Sequence, residues 1–164
     1  MKVYYDTLHA CSEEIYLAAT DIGLCFVSNS YNEMIDWLTK RQASEFIHDQ
    51  DKMQPYMEQF AYYFSGEKQQ FDAIPLDING TDFQMAVWQE LRTIHFGETC
   101  CYSDIAQAIG KPTAVRAVAS AIGKNPLLVI IPCHRVIGKN GKLTGFRSGL
   151  ALKKQLLALE KTTS

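Results

Sequence analysis

The feature that most constrains this chain is a run of five aliphatic residues between two prolines, Pro126 and Pro132. So uniform a run predicts a fully buried strand or another segment of the core. Pro132 must end it, because proline has no N–H to donate to a sheet. Whatever follows Pro132 therefore lies where buried structure stops. The run consists of Leu127, Leu128, Val129, Ile130 and Ile131.

A cysteine and a histidine stand side by side at the end of this run. A thiol reacts as its thiolate and burial alone raises its pKa, so a reactive Cys133 needs a base or a positive charge nearby. His134 and Arg135 are candidates for both roles. Taken alone, the pair is more typical of a buried structural cysteine beside a surface histidine, since free cysteine is among the most buried residue types.

Charge is divided unevenly along the 164 residues, whose net charge is −2. Residues 1–77 contain 5 Lys/Arg and 13 Asp/Glu, a net −8, whereas residues 78–164 contain 11 Lys/Arg and 5 Asp/Glu, a net +6. Attraction to phosphates depends on local charge rather than on the total. The second half therefore has the charge expected of a nucleic-acid-binding domain, although a chance asymmetry of a solvated surface fits the count as well.

Composition excludes several classes of protein. No run reaches the roughly 20 apolar residues of a membrane span, and the N-terminus lacks a signal-peptide pattern, so a cytoplasmic protein is expected. The five cysteines are odd in number and irregularly spaced, which argues against a disulfide framework. His9, Cys11 and Cys25 lack a convincing fourth ligand, so no metal site is predicted.

The first half predicts a small antiparallel sheet with helices. Three segments rich in β-branched and aromatic residues, separated by polar or glycine turns, predict strands. Two segments have helical apolar spacing. Residues 72–80, with a proline and a glycine, form the natural linker, and we place a domain boundary after residue 77. The strands cover residues 2–8, 15–20 and 23–28, and the helices cover residues 32–39 and 51–64.

The second half reads as mostly helical. Thr81 and Gln84 have the spacing of a capping box, at the start of a helix that we expect to continue to about His95. Two short helices, 103–109 and 113–122, are joined by a tight turn that contains Gly110. They give a helix-turn-helix signal, although any helical hairpin looks similar. An amphipathic helix over 149–160 closes the chain.

Short blocks of sequence surround Pro132–Val136 in a definite order. Over residues 81–160 their order and spacing resemble the O6-alkylguanine-DNA alkyltransferases, the suicide enzymes that repair methylated guanine. The first half resembles this family only in short segments such as Tyr63–Gly66. The blocks are Thr81–Gln84 with Val87 and Trp88, then 97–99, 102–106, 116–118, Asn125 with Pro126, and 141–146.

This resemblance implies an α/β (α+β) fold in two domains. A small ribonuclease-H-like sheet-plus-helix domain, acidic and supporting, would occupy residues 1–77. A mostly helical, winged-helix-like domain with a DNA-binding helix-turn-helix would occupy residues 78–164.

The resemblance also implies single-turnover transfer of a methyl or larger alkyl group from O6 of guanine, with O4 of thymine as a further candidate. Cys133 would attack the alkyl carbon and keep it as a thioether. His134 would take the thiol proton through a water, and Glu160 would orient the histidine. Tyr102 would assist the departing guanine. Asn125 would bridge the helix-turn-helix to the active-site segment by hydrogen bonds.

DNA is the partner that the resemblance implies, as a duplex containing O6-alkylguanine, bound by a monomer without a cofactor. The O6 atom of a stacked guanine is out of reach, so the nucleotide must flip out. Arg116 would fill the space it leaves, on a helix that binds the minor groove. Further DNA contacts are expected from Tyr102, Ser103, Thr113, Ala114, Val115, Gln84 and Lys139.

The base pocket would be lined by Val136 and by the loop from Thr144 to Gly149. Phe146 stands where many relatives carry tyrosine. Ser148 would lie over the alkyl group, where some bacterial relatives carry tryptophan. Its small size predicts that alkyl groups larger than methyl are accepted, unless the long Arg147 folds over the entrance.

Three other functions compete with this one. A non-catalytic protein that recognises alkylated bases would carry tryptophan in place of Cys133. A helix-turn-helix transcriptional regulator would need a sensor domain, for which the chain is too short. A cysteine hydrolase would need a glycine-rich turn before the nucleophile.

Two positions depart from the family pattern, His95 in place of proline and Cys101 in place of serine. Neither removes a catalytic residue, although Cys101 beside Cys100 predicts sensitivity to oxidation.

Overall fold

The structure is a computed structural model that describes residues 1–67, 71–143 and 145–161. Thr144, which begins the predicted pocket loop, lies outside these residues. The chain divides into two compact units, Met1–Ile78 and Asn79–Ser164. No helix in the described part of the chain is long and apolar enough to cross a membrane.

A four-stranded sheet forms the first unit. The predicted antiparallel strands are confirmed as β1 (Lys2–Ala10), β2 (Glu13–Ala19) and β3 (Leu24–Ser28). A fourth strand, β4 (Glu45–His48), pairs in parallel with β1 and gives the order β3-β2-β1-β4. Sequence patterning does not predict β4, because its four residues are too few and too polar to stand out.

Two helices complete the first unit, within two residues of their predicted bounds. They are α1 (Tyr31–Lys40) and α2 (Gln50–Phe64), and each begins at a side chain that accepts a backbone N–H, Ser30 for α1 and Asp49 for α2. The inner face of α1 packs on the sheet in one cluster of buried residues. That cluster contains Val3, Ala18, Cys25, Phe26, Met34 and Leu38.

The segment predicted as a linker is in part bound to this sheet. The N–H of Leu24 donates to the carbonyl of Pro75 (2.9 Å), and the N–H of Asp77 donates back to Leu24 (2.8 Å). Arg41 donates to the backbone oxygen of Asp77 (2.9 Å). A Cβ at Gly23 would lie 2.4 Å from the Pro75 oxygen, so only glycine allows this approach.

The second unit is mostly helical, as predicted. The capping box of Thr81 and Gln84 at the first helix is confirmed. A two-residue parallel ladder joins two short strands, and a 3₁₀ turn precedes the second of them. The elements are α3 (Asp82–Leu91), β5 (Cys100–Cys101), α4 (Tyr102–Ala108), α5 (Val115–Gly123), the 3₁₀ turn Cys133–Arg135, β6 (Val136–Ile137) and α6 (Leu150–Lys161).

Two predicted helix bounds in this unit are wrong. The first helix ends at Leu91 instead of His95, because the N–H groups of Thr93 and Ile94 turn back to carbonyls three residues earlier. The helix α5 begins at Val115 instead of Thr113. A turn closed by the N–H of Ala114 on the carbonyl of Lys111 (2.9 Å) precedes it.

The apolar run 127–131 is a core segment, and the alternative prediction of a strand is wrong. All five residues are buried, yet Leu128, Val129 and Ile130 form a turn. Val129 has a φ of +75°, and the N–H of Ile130 reaches back to the carbonyl of Leu128 (2.9 Å). Such a γ-turn is strained for a β-branched residue, so the buried surroundings must hold it.

Candidate active site

Cys133 is placed by a tight turn at Pro132. Pro132 has φ −80° and ψ 65°, and the N–H of Cys133 donates to the carbonyl of Ile131 (2.7 Å). This is the inverse γ-turn, which suits the fixed φ of proline. It leads directly into the 3₁₀ turn and leaves the Cys133 side chain buried, with 8% of the residue exposed.

Asn125 holds both ends of the segment that leads to Cys133. Its Oδ1 accepts the N–H of Leu127 (2.8 Å), and its Nδ2 donates to the carbonyl of Ile131 (2.7 Å). Both bonds are buried, so their loss would leave backbone groups without partners. The asparagine thus ties the end of α5 to the turn that carries the thiol.

His134 binds Glu160 of α6 in the interior of the unit. The Nε2 of His134 lies 2.5 Å from Oε2 of Glu160, and both side chains are about fully buried. A neutral imidazole bonded to a carboxylate carries its proton on that nitrogen, which leaves Nδ1 with a free electron pair. Nδ1 is buried and has no hydrogen-bond partner among the described residues. The ring is therefore set to accept a proton at Nδ1.

Arg135 forms a two-point ion pair with the same carboxylate. Its Nε donates to Oε1 of Glu160 (2.8 Å) and its Nη2 to Oε2 (3.0 Å), while Nη1 donates to the carbonyl of Ile94 (2.7 Å). The N–H of Gly97 also points at Oε1 (3.4 Å). Although burial opposes it, hydrogen bonds and charge from His134 and Arg135 lower the pKa of Glu160 to about 2. Glu160 is therefore a carboxylate throughout the physiological range.

Burial lowers the pKa of His134 despite its carboxylate partner. The hydrogen bond and charge of Glu160 favour the imidazolium but do not offset burial, and the cations of Arg135 and Lys153 oppose protonation further. At neutral pH the ring is consequently a neutral base.

The Cys133 thiol is also neutral at rest. Burial raises its pKa, while a hydrogen bond with Asn125 and the cations of Arg147 and Lys153 act in the opposite direction. Because the thiol is protonated and the imidazole of the next residue is neutral, the base must act during the reaction. The chemistry available is proton transfer from Cys133 towards His134 with attack by sulfur.

Lys153 is a buried residue of the site that sequence reasoning missed. Its Nζ donates to the carbonyl of Val136 (2.8 Å) and lies 5.8 Å from the centre of the Phe146 ring, a cation–π distance. Lys153 and Glu160 are seven residues apart, which places both on one face of α6. Two charged residues on the apolar face of a predicted helix are the sequence signal that could have identified both Lys153 and Glu160.

A cavity of about 380 Å³ opens beside Cys133. Its volume is at the lower end of the ~300–1,000 Å³ typical of small-ligand sites. Several predicted residues line it, whereas Val136 does not and is instead fully buried in β6. The lining comes from Tyr102 of α4, from Ala119, Ile122 and Gly123 of α5, from Asn125, Leu128 and Cys133, and from the loop 145–148.

The predicted DNA contacts lie on the surface or near it. Thr113, Val115, Arg116 and Lys139 are exposed, and Tyr102, Ser103, Ala114 and Gln84 are partly buried. Gln84 is engaged locally, because its Oε1 accepts the N–H of Thr81 in the capping box (3.0 Å). The exposed residues of this group stand at or just before the N-terminus of α5, apart from Lys139 in the turn after β6.

Among the residues that the structure describes, no group of three or more His, Cys, Asp or Glu side chains could hold a metal ion. His9 instead bonds Glu14 through Nδ1 (2.9 Å). Cys25 is buried in β3, where its thiol contacts the Ala18 carbonyl (3.4 Å). All five cysteines are free thiols.

The fold and the site together define a cysteine-nucleophile enzyme whose pocket adjoins a helix-turn-helix. Two family models cover most of the chain. The DNA binding domain of 6-O-methylguanine DNA methyltransferase matches residues 82–162, and the ribonuclease-like domain of the same family matches residues 3–78.

Relatives and solved structures agree with these models. The inducible methylated-DNA–protein-cysteine methyltransferase of Bacillus subtilis is 45% identical over 99% of this chain and 92% of its own length. A methyltransferase of the same name from Methanosarcina barkeri is 42% identical over 97% of this chain and 98% of its own. The crystal structure of Mycobacterium tuberculosis O6-methylguanine methyltransferase superposes with a TM-score of 0.85 at 39% identity, over 99% of this chain and 94% of that one. The chain therefore belongs to the 6-O-methylguanine DNA methyltransferase family.

We predict that Arg135 keeps His134 a neutral base at mildly acidic pH. Arg135→Gln removes a cation that opposes protonation of His134, so the pKa of His134 rises and more of the ring is protonated at a given pH. The rate of alkyl transfer should then begin to fall at a higher pH than in the wild type, with a larger deficit at acidic than at alkaline pH.

A pH profile of the transfer rate measures this shift. Lys154→Gln, which removes an exposed charge from α6, the helix that carries Glu160, is the matched control and should follow the wild-type profile. A profile of Arg135→Gln that keeps the wild-type acidic limb would contradict this role for Arg135.

Proposed function

We propose that this protein repairs alkylated DNA by direct reversal, taking an alkyl group from O6 of guanine onto Cys133 once per molecule and without a cofactor. The observations that carry the proposal are the buried Cys133 thiol, which lines a cavity of about 380 Å³, and the buried Nδ1 of the next residue, His134, which has no partner among the described residues. The family membership of the chain supports the same reaction.

The reaction balances with groups that the unit contains. The Cys133 proton passes through a water to Nδ1 of His134 as the sulfur forms a bond to the alkyl carbon. The bond between that carbon and O6 breaks, and its electron pair stays on guanine, to which the Tyr102 hydroxyl donates a hydrogen bond. Glu160 balances the imidazolium that forms. The thioether is stable to water, so each molecule acts once.

The DNA substrate is a duplex from which the lesion is flipped into the cavity. Arg116 and the exposed residues before it present a small, cationic surface at the start of α5. A helix surface of this kind suits insertion into the minor groove, with the arginine in the space that the base leaves. M. tuberculosis OGT has been solved in complex with DNA, and it superposes on this chain with a TM-score of 0.83 at 37% identity.

The range of alkyl groups extends beyond methyl in this proposal. Ser148 lines the cavity with a small side chain, and Arg147 beside it also lines the cavity although the residue is exposed. O4-alkylthymine is a further candidate substrate. We place the protein in the cytoplasm, acting as a monomer, with the acidic first unit in a supporting role.

We expect incubation with duplex DNA containing O6-methylguanine to methylate Cys133 and no other residue. Intact-mass measurement should show the gain of one methylene per protein molecule, and peptide mapping should place it on Cys133. Cys25→Ala keeps the full yield, because that thiol lies in the first unit. Multiple turnovers per molecule, or methyl transfer by Cys133→Ala, would refute the proposal.

We also expect Arg116→Ala to slow repair of the duplex far more than reaction with a free O6-alkylguanine. The side chain replaces the extruded base, and a free base needs no extrusion. Rates on the two substrates, measured in parallel, give the comparison. Lys124→Ala, which removes an exposed cation at the other end of α5, should show a smaller difference between the substrates. Equal losses of Arg116→Ala on both substrates would make Arg116 a structural residue.

A further inference from the structure

In the first unit, a helix covers only part of one face of the four-stranded sheet. On this face α1 packs against β2 and β3. The other helix, α2, lies on the opposite face, where Nζ of Lys52 is 4.7 Å from the centre of the Tyr4 ring. Most of the half that β1 and β4 form on the first face is therefore left without a covering helix among the described residues.

Aromatic rings occupy and border this open half. Tyr5 of β1 pairs with His48 of β4, and their rings stack with centroids 5.4 Å apart. Phe46 lies two residues before His48, so it is on the same face, and 39% of it is exposed. The register of β1 and β2 places Tyr16 on this face too, where it forms an edge-to-face pair (5.7 Å) with Tyr31 at the start of α1. We call these five residues the aromatic face.

The charges around the aromatic face have one sign. Residues 3–36 contain six acidic residues and no lysine or arginine. Lys2 precedes them and, two residues from Tyr4, lies on the opposite face of β1. Glu14 is exposed and shares the face of Tyr16, and its carboxylate bonds the exposed His9 (2.9 Å). The six are Asp6, Glu13, Glu14, Asp21, Glu33 and Asp36.

This combination selects the chemistry of a ligand. Aromatic faces of sheets also stack the bases of single-stranded nucleic acids, but those sites have a positively charged groove for the backbone. Here the surrounding carboxylates repel phosphate and attract cations. The faces of aromatic rings attract cations as well, and a guanidinium group can stack on a ring while it pairs with a carboxylate.

We propose that the aromatic face is a docking surface for an arginine- and lysine-rich segment of another protein. The exposed rings of Tyr31 and Phe46 receive the cationic groups, and Glu14 pairs with one of them. A second copy of this chain suits the surface less well, because DNA engages the net charge of +6 on residues 78–164 in the proposed function. The inference does not depend on the alkyl transfer itself.

The test measures fluorescence anisotropy of a labelled peptide of Arg-Gly-Gly repeats with the full-length protein. The wild type should bind it, and should not bind the same peptide with glutamine in place of each arginine. Tyr31→Ala and Glu14→Gln should each weaken binding by about threefold or more, the size of effect of an exposed cation–π contact or ion pair. Tyr62→Ala and Glu58→Gln on α2 remove an exposed ring and an exposed carboxylate elsewhere in the unit, and should bind as the wild type does.

Three results would overturn the inference. They are equal binding by the wild type and both surface variants, an equal loss in the α2 variants, and binding of the glutamine peptide. A dimer in sedimentation that Tyr31→Ala abolishes would also overturn it, since a second copy would then occupy the surface. If Tyr31→Ala gives no cooperative thermal transition, Phe46→Thr on β4 decides. Methyl transfer from the O6-methylguanine duplex should be unchanged in Tyr31→Ala, so failure of the proposed function would be seen separately.

Discussion

The carboxylate of Glu160 is the interaction on which the active site depends. It accepts from Nε2 of His134 (2.5 Å), from two nitrogens of Arg135 (2.8 and 3.0 Å) and, at longer range, from the N–H of Gly97. The two oxygens of the Glu160 carboxylate therefore link α6 to the 3₁₀ turn and to the loop after α3. A buried carboxylate with this many donors stays ionised, and its removal would leave buried donors without a partner.

The protonation states of the site follow from this buried group. Burial, assisted by the Arg135 cation, leaves His134 neutral, and burial leaves the Cys133 thiol protonated. The site therefore stores no reactive thiolate before a substrate arrives. Such a resting state protects a cysteine that can be used only once, since the thiolate is the form that oxidants and other electrophiles attack.

Sequence reasoning found the parts of the site that carry local signals and missed those that depend on long-range packing. The proline-bounded apolar run marked Cys133 and His134, and the capping box of Thr81 marked the start of α3. The conformation of residues 127–131 was not predictable, because an apolar run of five residues suits a strand and a buried turn equally. The ion pair of Arg135 and the burial of Lys153 arise only when α6 folds onto the turn.

The most direct test of this account is the rate of methyl transfer by Glu160→Gln, measured together with its affinity for DNA. Glutamine keeps the shape but cannot balance the imidazolium, so the rate should fall by at least about tenfold, a part of the roughly 10²–10⁴-fold that a general base contributes. DNA affinity should stay within about twofold of the wild type, because phosphate contacts dominate it. Glu98→Gln, an exposed carboxylate, is the control and should change neither quantity. A folded Glu160→Gln with wild-type transfer rate would contradict the account.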